Sequence, residues 1–190
     1  MASGQPKGSY TYPAVTDDPD RTGVLRNKLN LTAHSELRPA EYALTNIRLV
    51  EINQGSGPSG NFDTAHLKAI HRYIFQDVYE WAGHTRNESP VVDGQRVEPV
   101  GGLFQGGTSF LPGSRIEMGL NEALRPIADP PALSKATPEQ FAERAAKSFR
   151  NRTTCIHSER ATAVLKRLLF PSWAATTGTR SIFPSSPCRA

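Results

Sequence analysis

The stretch from Asp63 to Gly83, DTAHLKAIHRYIFQDVYEWAG, constrains the fold of this chain more than any other. Its apolar side chains recur at helical spacing and define one face that must be buried. Asp63 is a favoured residue type at the N-cap of a helix, and Gly83 is suited to end one. The sequence therefore predicts a long central helix over residues 63–83. Its predicted buried positions are Leu67, Ile70, Ile74, Val78 and Trp81.

Three further segments have helical patterns. The first runs from Ser35, a plausible N-cap, to about Asn53, and the second is Ser114–Leu124. The third begins at Thr137, because Thr137 and Gln140 have the spacing of a capping box around a proline at the first helical position. The predicted apolar positions of the first helix are Tyr42, Leu44, Ile47, Leu49 and Ile52.

A short β-hairpin is predicted between the central helix and the segment that begins at Ser114. In SPVVDGQRVEPV, residues 89–100, the Asp93-Gly94 pair is a favoured two-residue turn between short apolar runs. Gly101–Gly113 is rich in glycine but lacks the lysine and the strand–loop–helix context of a phosphate-binding loop. We predict an ordinary loop there.

Composition limits the broad class. A chain of 190 residues is long enough for one domain with a buried core, and it contains no apolar run of membrane length. Its net charge of +4 would suit a nucleic-acid partner, but residues 148–190 hold seven basic residues and one acidic residue, so the rest is slightly acidic. Both cysteines lie in that C-terminal stretch as well. We expect a cytoplasmic protein that binds neither nucleic acid nor membrane.

Two phrases resemble a known family. The N-terminal arm contains Y-x-Y-P and then V-L-R-N-K-L, and the central helix reads HLKAIHRYIFQDVYEWAGHTR over residues 66–86. Both are similar to the corresponding parts of Fic (Fido) domain proteins. The resemblance covers about residues 9–147 and implies a mainly α-helical bundle with a small β-hairpin flap. The implied division is an arm over residues 1–34, the Fic domain over 35–154, and a tail over 155–190.

The flap carries one of the two sites that the resemblance implies. In the family it is thought to pair with an extended segment of the target protein, and pairing along an exposed strand edge accommodates diverse peptides. The alternative from the residues alone is a surface hairpin with no partner. The docking candidates are Pro90, Val91, Val92, Asp93 and Gly94, within the segment 90–97.

The other site should be the catalytic loop, whose family signature is HPF-R-[DE]-GNGR. At the expected place this chain reads CIHSERATAVLK, Cys155–Lys166. When the third base of each codon is joined to the first two bases of the next, every junction across this stretch is compatible with HPFREGNGRTQ. We therefore interpret the chain from about Ser148 onward as read out of frame after a net loss of one base. We expect little order in residues 172–190.

The family resemblance also implies an activity: transfer of AMP from ATP, with Mg²⁺, to a Ser, Thr or Tyr hydroxyl of a target protein. The motif histidine would be the general base, and His157 is the one local candidate in the given frame. Glu159 and Arg160 have suitable types at unsuitable offsets, and the Gly-Asn-Gly anion cradle is missing. We therefore expect transfer, and binding of ATP and Mg²⁺, to be severely impaired. No metal site is predicted, since His66 and His71 are spaced so that they do not share a helix face.

Several alternatives stay open. The sequence contains no internal inhibitory motif, so the resemblance is to the class that a small helical antitoxin inhibits. The protein could equally be an effector exported from the cell. A non-catalytic binding module that uses the flap and groove is the second interpretation, and a nucleic-acid-binding protein is the third.

Overall fold

The computed structural model describes residues 8–15, 17–99, 103–105, 108–111, 113, 115–128, 135–137, 139–140, 143–144 and 147. The central helix, α2 (Thr64–Phe75), packs against both other helices of this part of the chain. The predicted fold class, mainly α with a small hairpin, is confirmed. The helices are α1 (His34–Asn53), α2 (Thr64–Phe75) and α3 (Arg115–Leu124), and the strands are β1 (Val91–Val92), β2 (Gln95–Arg96), β3 (Leu103–Gln105) and β4 (Thr108–Phe110).

Helix α2 begins as its sequence predicts. The Asp63 carboxylate accepts a hydrogen bond from the backbone N–H of His66 at 2.8 Å, which satisfies one of the free amides of the first turn. The side chains of Leu67, Ile70 and Ile74 are buried. The predicted N-cap and the predicted apolar face over this helix are therefore confirmed.

The predicted extent of the central helix was wrong, because α2 ends at Phe75 and residues 76–83 form turns. The N-terminal arm explains this end. The backbone N–H of Lys28 donates to the carbonyl of Val78 at 2.8 Å, and the Lys28 ammonium donates to the carbonyl of Gln76 at 2.7 Å. Carbonyls that would continue the helical ladder thus accept from the arm instead.

Helix α1 begins at His34, so the prediction of Ser35 as N-cap was wrong. Asp20, on a short 3₁₀ turn, supplies the missing acceptor from outside the helix. Its carboxylate accepts from the backbone N–H of Ser35 at 2.9 Å and from the Ser35 hydroxyl at 2.5 Å. The bond from the hydroxyl holds the pKa of Asp20 below its usual range.

The buried face of α1 also differs from the prediction. Tyr42 and Ile47 are 69% and 55% exposed, whereas Leu49 is buried as expected. Glu41 and Thr45 lie in the interior instead. The Glu41 carboxylate accepts from the Tyr79 hydroxyl at 2.6 Å, and the Thr45 hydroxyl donates to the Glu41 carbonyl at 2.7 Å. These bonds offset the cost of burying polar groups, which apolar periodicity alone does not reveal.

An arginine joins α1 to the turn that follows α2. Arg48 donates from Nε and Nη2 to the two carboxylate oxygens of Asp77, at 2.6 and 2.9 Å. Its Nη1 donates to Glu51 at 2.9 Å, and Glu51 also accepts from the Tyr73 hydroxyl at 2.8 Å. The bonds from Arg48 lower the pKa of Asp77. A two-pronged arginine–carboxylate pair of this kind fixes the orientation of both groups.

Helix α3 supplies the other side of the core. Ile116, Leu120 and Leu124 are buried, as their spacing predicts. Among the described residues, none of the helices is long and apolar enough to cross a membrane. Among the described residues, the largest fully enclosed apolar side chains of the core are Val24, Ile74, Val78, Ile116, Leu120, Leu124 and Ile127.

The described chain contains two antiparallel hairpins rather than the single predicted one. Strand β1 pairs with β2, which confirms the hairpin around Asp93-Gly94. Strand β3 pairs with β4 so that Gln105 lies opposite Thr108. The prediction of an ordinary loop over residues 101–113 was therefore wrong for its middle part.

The N-terminal arm is extended. Its sequence predicts a short helix, with Val24, Leu25 and Leu29 on one face. Thr11 forms an antiparallel bridge with Leu25, and the side chain of Val24 is fully buried. That helix prediction was wrong, because the arm pairs with itself across the intervening turn.

The capping box predicted beyond α3 is present. The Thr137 hydroxyl accepts from the backbone N–H of Gln140 at 3.3 Å, and the Gln140 side chain accepts from the backbone N–H of Thr137 at 3.1 Å. The catalytic-loop candidates and the predicted tail over residues 155–190 lie outside the described residues.

Candidate target-docking site

The β1–β2 hairpin, hereafter the flap, turns tightly at Asp93 and Gly94. Both residues have positive φ angles, 49° and 73°, the combination that a type I′ turn requires. Glycine adopts this conformation without strain, and aspartate tolerates it better than most residues. The local sequence therefore explains why the chain reverses here.

The flap has one buried and one exposed side. Val92 and Val97 are 3% and 2% exposed and anchor the hairpin, whereas Val91 is 51% exposed. Pro90 is buried at the start of the hairpin, and Asp93 and Gly94 are exposed at its tip. The structure thus brings the five predicted docking residues together on one continuous hairpin.

The register determines which backbone groups of the flap point outward. The Val97 N–H donates to the Pro90 carbonyl at 2.9 Å, and Val91 lies opposite Arg96. Hydrogen-bonded and non-hydrogen-bonded pairs alternate along an antiparallel ladder, so the Val91–Arg96 pair is non-hydrogen-bonded. The amide and carbonyl of Val91 therefore face the outer edge of β1, where an added strand could pair with them.

Two groups from distant parts of the chain hold the flap tip. The backbone N–H of Asp93 donates to the Glu80 carboxylate at 2.6 Å, and the Asp93 carboxylate forms an ion pair with Arg26. Sequence reasoning missed both contacts. No local pattern signals them, because Arg26 and Asp93 are 67 positions apart.

The segment W-A-G-x-x-R connects α2 to the flap through an aromatic cluster. The Trp81 ring stacks on Tyr79 with centroids 4.6 Å apart. His71 packs near Trp81, and its Nδ1 accepts from the backbone N–H of Gly83 at 3.0 Å. Burial lowers the pKa of His71 to about 4, so its ring is neutral at physiological pH.

Arg86 closes this segment by donating from Nη2 to the carbonyl of Leu111. Leu111 directly follows β4, which ends at Phe110. The contact therefore ties the loop before the flap to the second hairpin. The loop between α2 and the flap is thus held at Gly83 by His71 and at Arg86 by the Leu111 carbonyl.

A cleft of about 490 Å³ lies beside the start of the flap. The Glu88 carboxylate sits in it and accepts from Lys68, from the His84 ring at 2.9 Å and from the Thr85 N–H at 3.1 Å. Burial opposes ionisation of Glu88, but these bonds outweigh it and lower its pKa. The cleft is lined by Lys68, Ala69, Arg72, Ala82, Gly83, His84, Glu88 and Ser89.

The predicted catalytic candidate, His157, lies outside the described residues, as do Glu159 and Arg160. Within the described part of the chain, no group of three or more His, Cys, Asp or Glu side chains could hold a metal ion. The His66 ring bridges backbone groups instead, since Nδ1 accepts from the Phe62 N–H and Nε2 contacts the Pro58 carbonyl at 3.0 Å.

Comparison with known proteins finds relatives named as probable protein adenylyltransferases. The chain is 30% identical over 146 residues to the probable protein adenylyltransferase Fic of Salmonella typhimurium LT2, and the match covers 77% of this chain and 62% of that protein. Over most of its length the chain is thus similar to a protein named Fic. It is also 46% identical over 65 residues to the probable protein adenylyltransferase y4lH of Sinorhizobium fredii, a match that covers 34% of this chain and 32% of that relative. No family model matches the chain.

Solved Fic structures have the same fold. The N-terminal Fic domain of Bep8 from Bartonella sp. 1-1C superposes with a TM-score of 0.71 at 22% identity, over 89% of this chain and 75% of that one. BepC from Bartonella tribocorum, solved with bound AMPPNP, superposes with a TM-score of 0.72 at 22% identity, over 89% and 78%. The chain spans less than two thirds of the length of the curated relatives it matches, 32% and 62% for the two above.

Proposed function

We propose that this chain derives from a protein adenylyltransferase, an enzyme that transfers AMP from ATP to a Ser, Thr or Tyr hydroxyl of another protein. One observation carries the proposal: the W-A-G-x-x-R segment that follows the central helix leads into a flap with an open strand edge. The names of its relatives, which are protein adenylyltransferases, support the same reaction.

The flap would present the target. An extended segment of the target protein pairs with the outward amide and carbonyl of Val91, and the exposed Val91 side chain lies beside it. Backbone pairing holds the segment in register without demanding a particular sequence. The hydroxyl to be modified would thereby be kept in a fixed position.

Nucleotide binding would be the function that this chain has lost or weakened. In the shifted frame the loop would read HPFREGNGRTQ. Its histidine would remove the hydroxyl proton, the amides of its Gly-Asn-Gly would surround the phosphates, and its acidic residue would hold Mg²⁺. In the given frame, Cys155–Lys166 lacks the Gly-Asn-Gly, and His157 is followed by Ser-Glu-Arg rather than Pro-Phe-Arg. The residues present do not fit the nucleotide, so we infer that transfer is absent or severely impaired.

Incubation with labelled ATP, Mg²⁺ and a cell lysate tests this inference. We expect no labelled protein above the level of a blank without enzyme. A matched sample of the His157→Ala variant is the control. Robust labelling that disappears in this variant would refute the inferred impairment and would assign the base to His157.

A non-catalytic binding module is the second candidate, favoured by the same flap. It would use the flap and the adjacent groove to engage a protein, with a small helical antitoxin as one such partner. The family setting also fits either a toxin or an effector exported from the cell. Binding of Mg-ATP in calorimetry would favour a working enzyme over a binding module, because an enzyme must bind the nucleotide and a binding module need not.

A further inference from the structure

Arg26 contacts three residues in two parts of the molecule, the N-terminal arm and the flap. Its Nε donates to the carbonyl of Thr11 at 3.2 Å, and its guanidinium carbon lies 5.2 Å from the centroid of the Tyr12 ring. Its Nη1 forms the ion pair with Asp93 at the tip of the flap. A planar guanidinium with five donors can satisfy such a set of partners, whereas an ammonium group cannot reproduce the geometry.

The arm on which Arg26 depends also reaches the flap. The backbone N–H of Arg26 donates to the Tyr10 carbonyl at 2.8 Å, and the N–H of Tyr12 donates to the Val24 carbonyl at 2.9 Å. Two residues before Tyr10, Gly8 forms a parallel bridge with Val97. The arm therefore runs from its own antiparallel pairing onto the flap.

Gly8 occupies the outer edge of the flap on the β2 side. A Cβ atom at Gly8 would lie 3.1 Å from the Gln95 Cβ, 3.2 Å from the Arg96 carbonyl oxygen and 3.2 Å from the Val97 Cγ2. Contacts this close leave no room for another strand at that point. On the opposite side, no described backbone group outside the hairpin pairs with Val91. The two edges of the flap are therefore not equivalent.

We propose that Arg26 is a positioning residue that locks the flap to the N-terminal arm, so that β2 is closed and an extended target segment can add only along β1 at Val91. Asp93 is held at two points: its carboxylate pairs with Arg26, and its backbone N–H donates to Glu80. This inference rests on the proposed function only where it treats the flap as a docking element. The lock itself requires neither nucleotide nor target.

The lock should affect the flap and leave the core unchanged. The side chains of Arg26 and Asp93 are 26% and 48% exposed, and ion pairs of this exposure contribute little to global stability. Their loss should instead increase the population of an open flap by roughly fivefold. The reporter is the Val97 amide, whose bond to the Pro90 carbonyl holds the base of the hairpin.

Amide hydrogen exchange followed by NMR on the whole chain tests the proposal. Asp93→Asn removes the charge but keeps the turn, because asparagine before glycine favours a type I′ turn. Arg26→Gln removes the other partner, and Arg21→Gln is the control, an exposed arginine of the same arm that pairs with Asp18. We expect roughly fivefold faster exchange at Val97 in Asp93→Asn and in Arg26→Gln. In the control, Arg21→Gln, the exchange rate at Val97 should not change.

The double variant decides whether the two residues act as one unit. If they do, Arg26→Gln with Asp93→Asn exchanges at Val97 no faster than either single variant. The Ile74 amide in α2 should exchange at the wild-type rate in all of them. Unchanged exchange at Val97, equal acceleration at Ile74, or multiplied effects in the double variant would each overturn the proposal. None of these outcomes depends on AMP transfer. A failure of this proposal can therefore be distinguished from a failure of the proposed function.

Discussion

The Nδ1 atom of His71 accepts a hydrogen bond from the backbone N–H of Gly83 at 3.0 Å, which joins the middle of α2 to the loop that precedes the flap. The bond requires an unprotonated Nδ1. The His71 ring is enclosed beside Phe75 and Trp81, with centroids 4.9 and 6.0 Å away. A partly buried histidine thus holds the start of the W-A-G-x-x-R loop in place.

This bond makes stability depend on pH. Burial lowers the pKa of His71 from 6.5 to about 4, so the unfolded chain binds the proton more tightly than the folded chain. The contribution is therefore complete above pH 6.5 and is lost as the pH falls towards 4. Urea unfolding should show a loss of about 2 kcal/mol between pH 7 and pH 5.

The His71→Phe variant isolates this effect. It should be less stable at pH 7, since the Gly83 N–H loses its acceptor, by about 1–3 kcal/mol. Its stability should vary less between pH 7 and pH 5 than that of the wild type. If the free energy of unfolding of His71→Phe changed with pH as much as that of the wild type, the pH dependence could not be assigned to His71.

Gly83 should tolerate no side chain. Its φ is 87°, and a Cβ atom there would lie 2.8 Å from the Arg72 Cβ and 3.2 Å from the Lys68 carbonyl oxygen. Gly55 is a matched control with φ of 88° and no atom within 4 Å of such a Cβ. Alanine at Gly55 should cost about 1–2 kcal/mol from backbone strain, and alanine at Gly83 about 1–3 kcal/mol more. Equal losses in urea unfolding would show that the close contacts relax.

The Asp63 N-cap of α2 should contribute measurably to the free energy of unfolding. Asp63→Ala removes the acceptor for the His66 N–H and should lower the free energy of unfolding by about 1 kcal/mol. Asp63→Ser retains an acceptor at the N-cap and should lose much less. Thermal unfolding of the two variants side by side provides the measurement. A serine variant as unstable as the alanine variant would indicate that another feature of Asp63 matters.

Features encoded by near neighbours could be predicted from sequence. Asp63 caps the helix that follows it, and Asp93-Gly94 forms the turn between two short strands, because each depends on residues a few positions away. The hairpin β3–β4 was missed although its signal was available. The two glycines between Gln105 and Thr108 have the length and composition of a hairpin turn.

The rest depends on contacts between distant segments. The end of α2 at Phe75 is set by Lys28, and the N-terminus of α1 is satisfied by Asp20 from a preceding turn. The ion pair between Arg26 and Asp93 likewise joins residues that are distant in the sequence. Local propensity and periodicity do not describe such contacts, so the flap hairpin was predictable and the groups that hold it were not.

The nucleotide sequence of the gene across the codons for residues 148–166 tests the central claim most directly. That claim is an AMP-transferring scaffold whose catalytic loop is read in the wrong frame. The account predicts that, across the codons for Cys155–Lys166, the shifted frame spells HPFREGNGRTQ. A gene in which no shifted frame across these codons gives that sequence would contradict it.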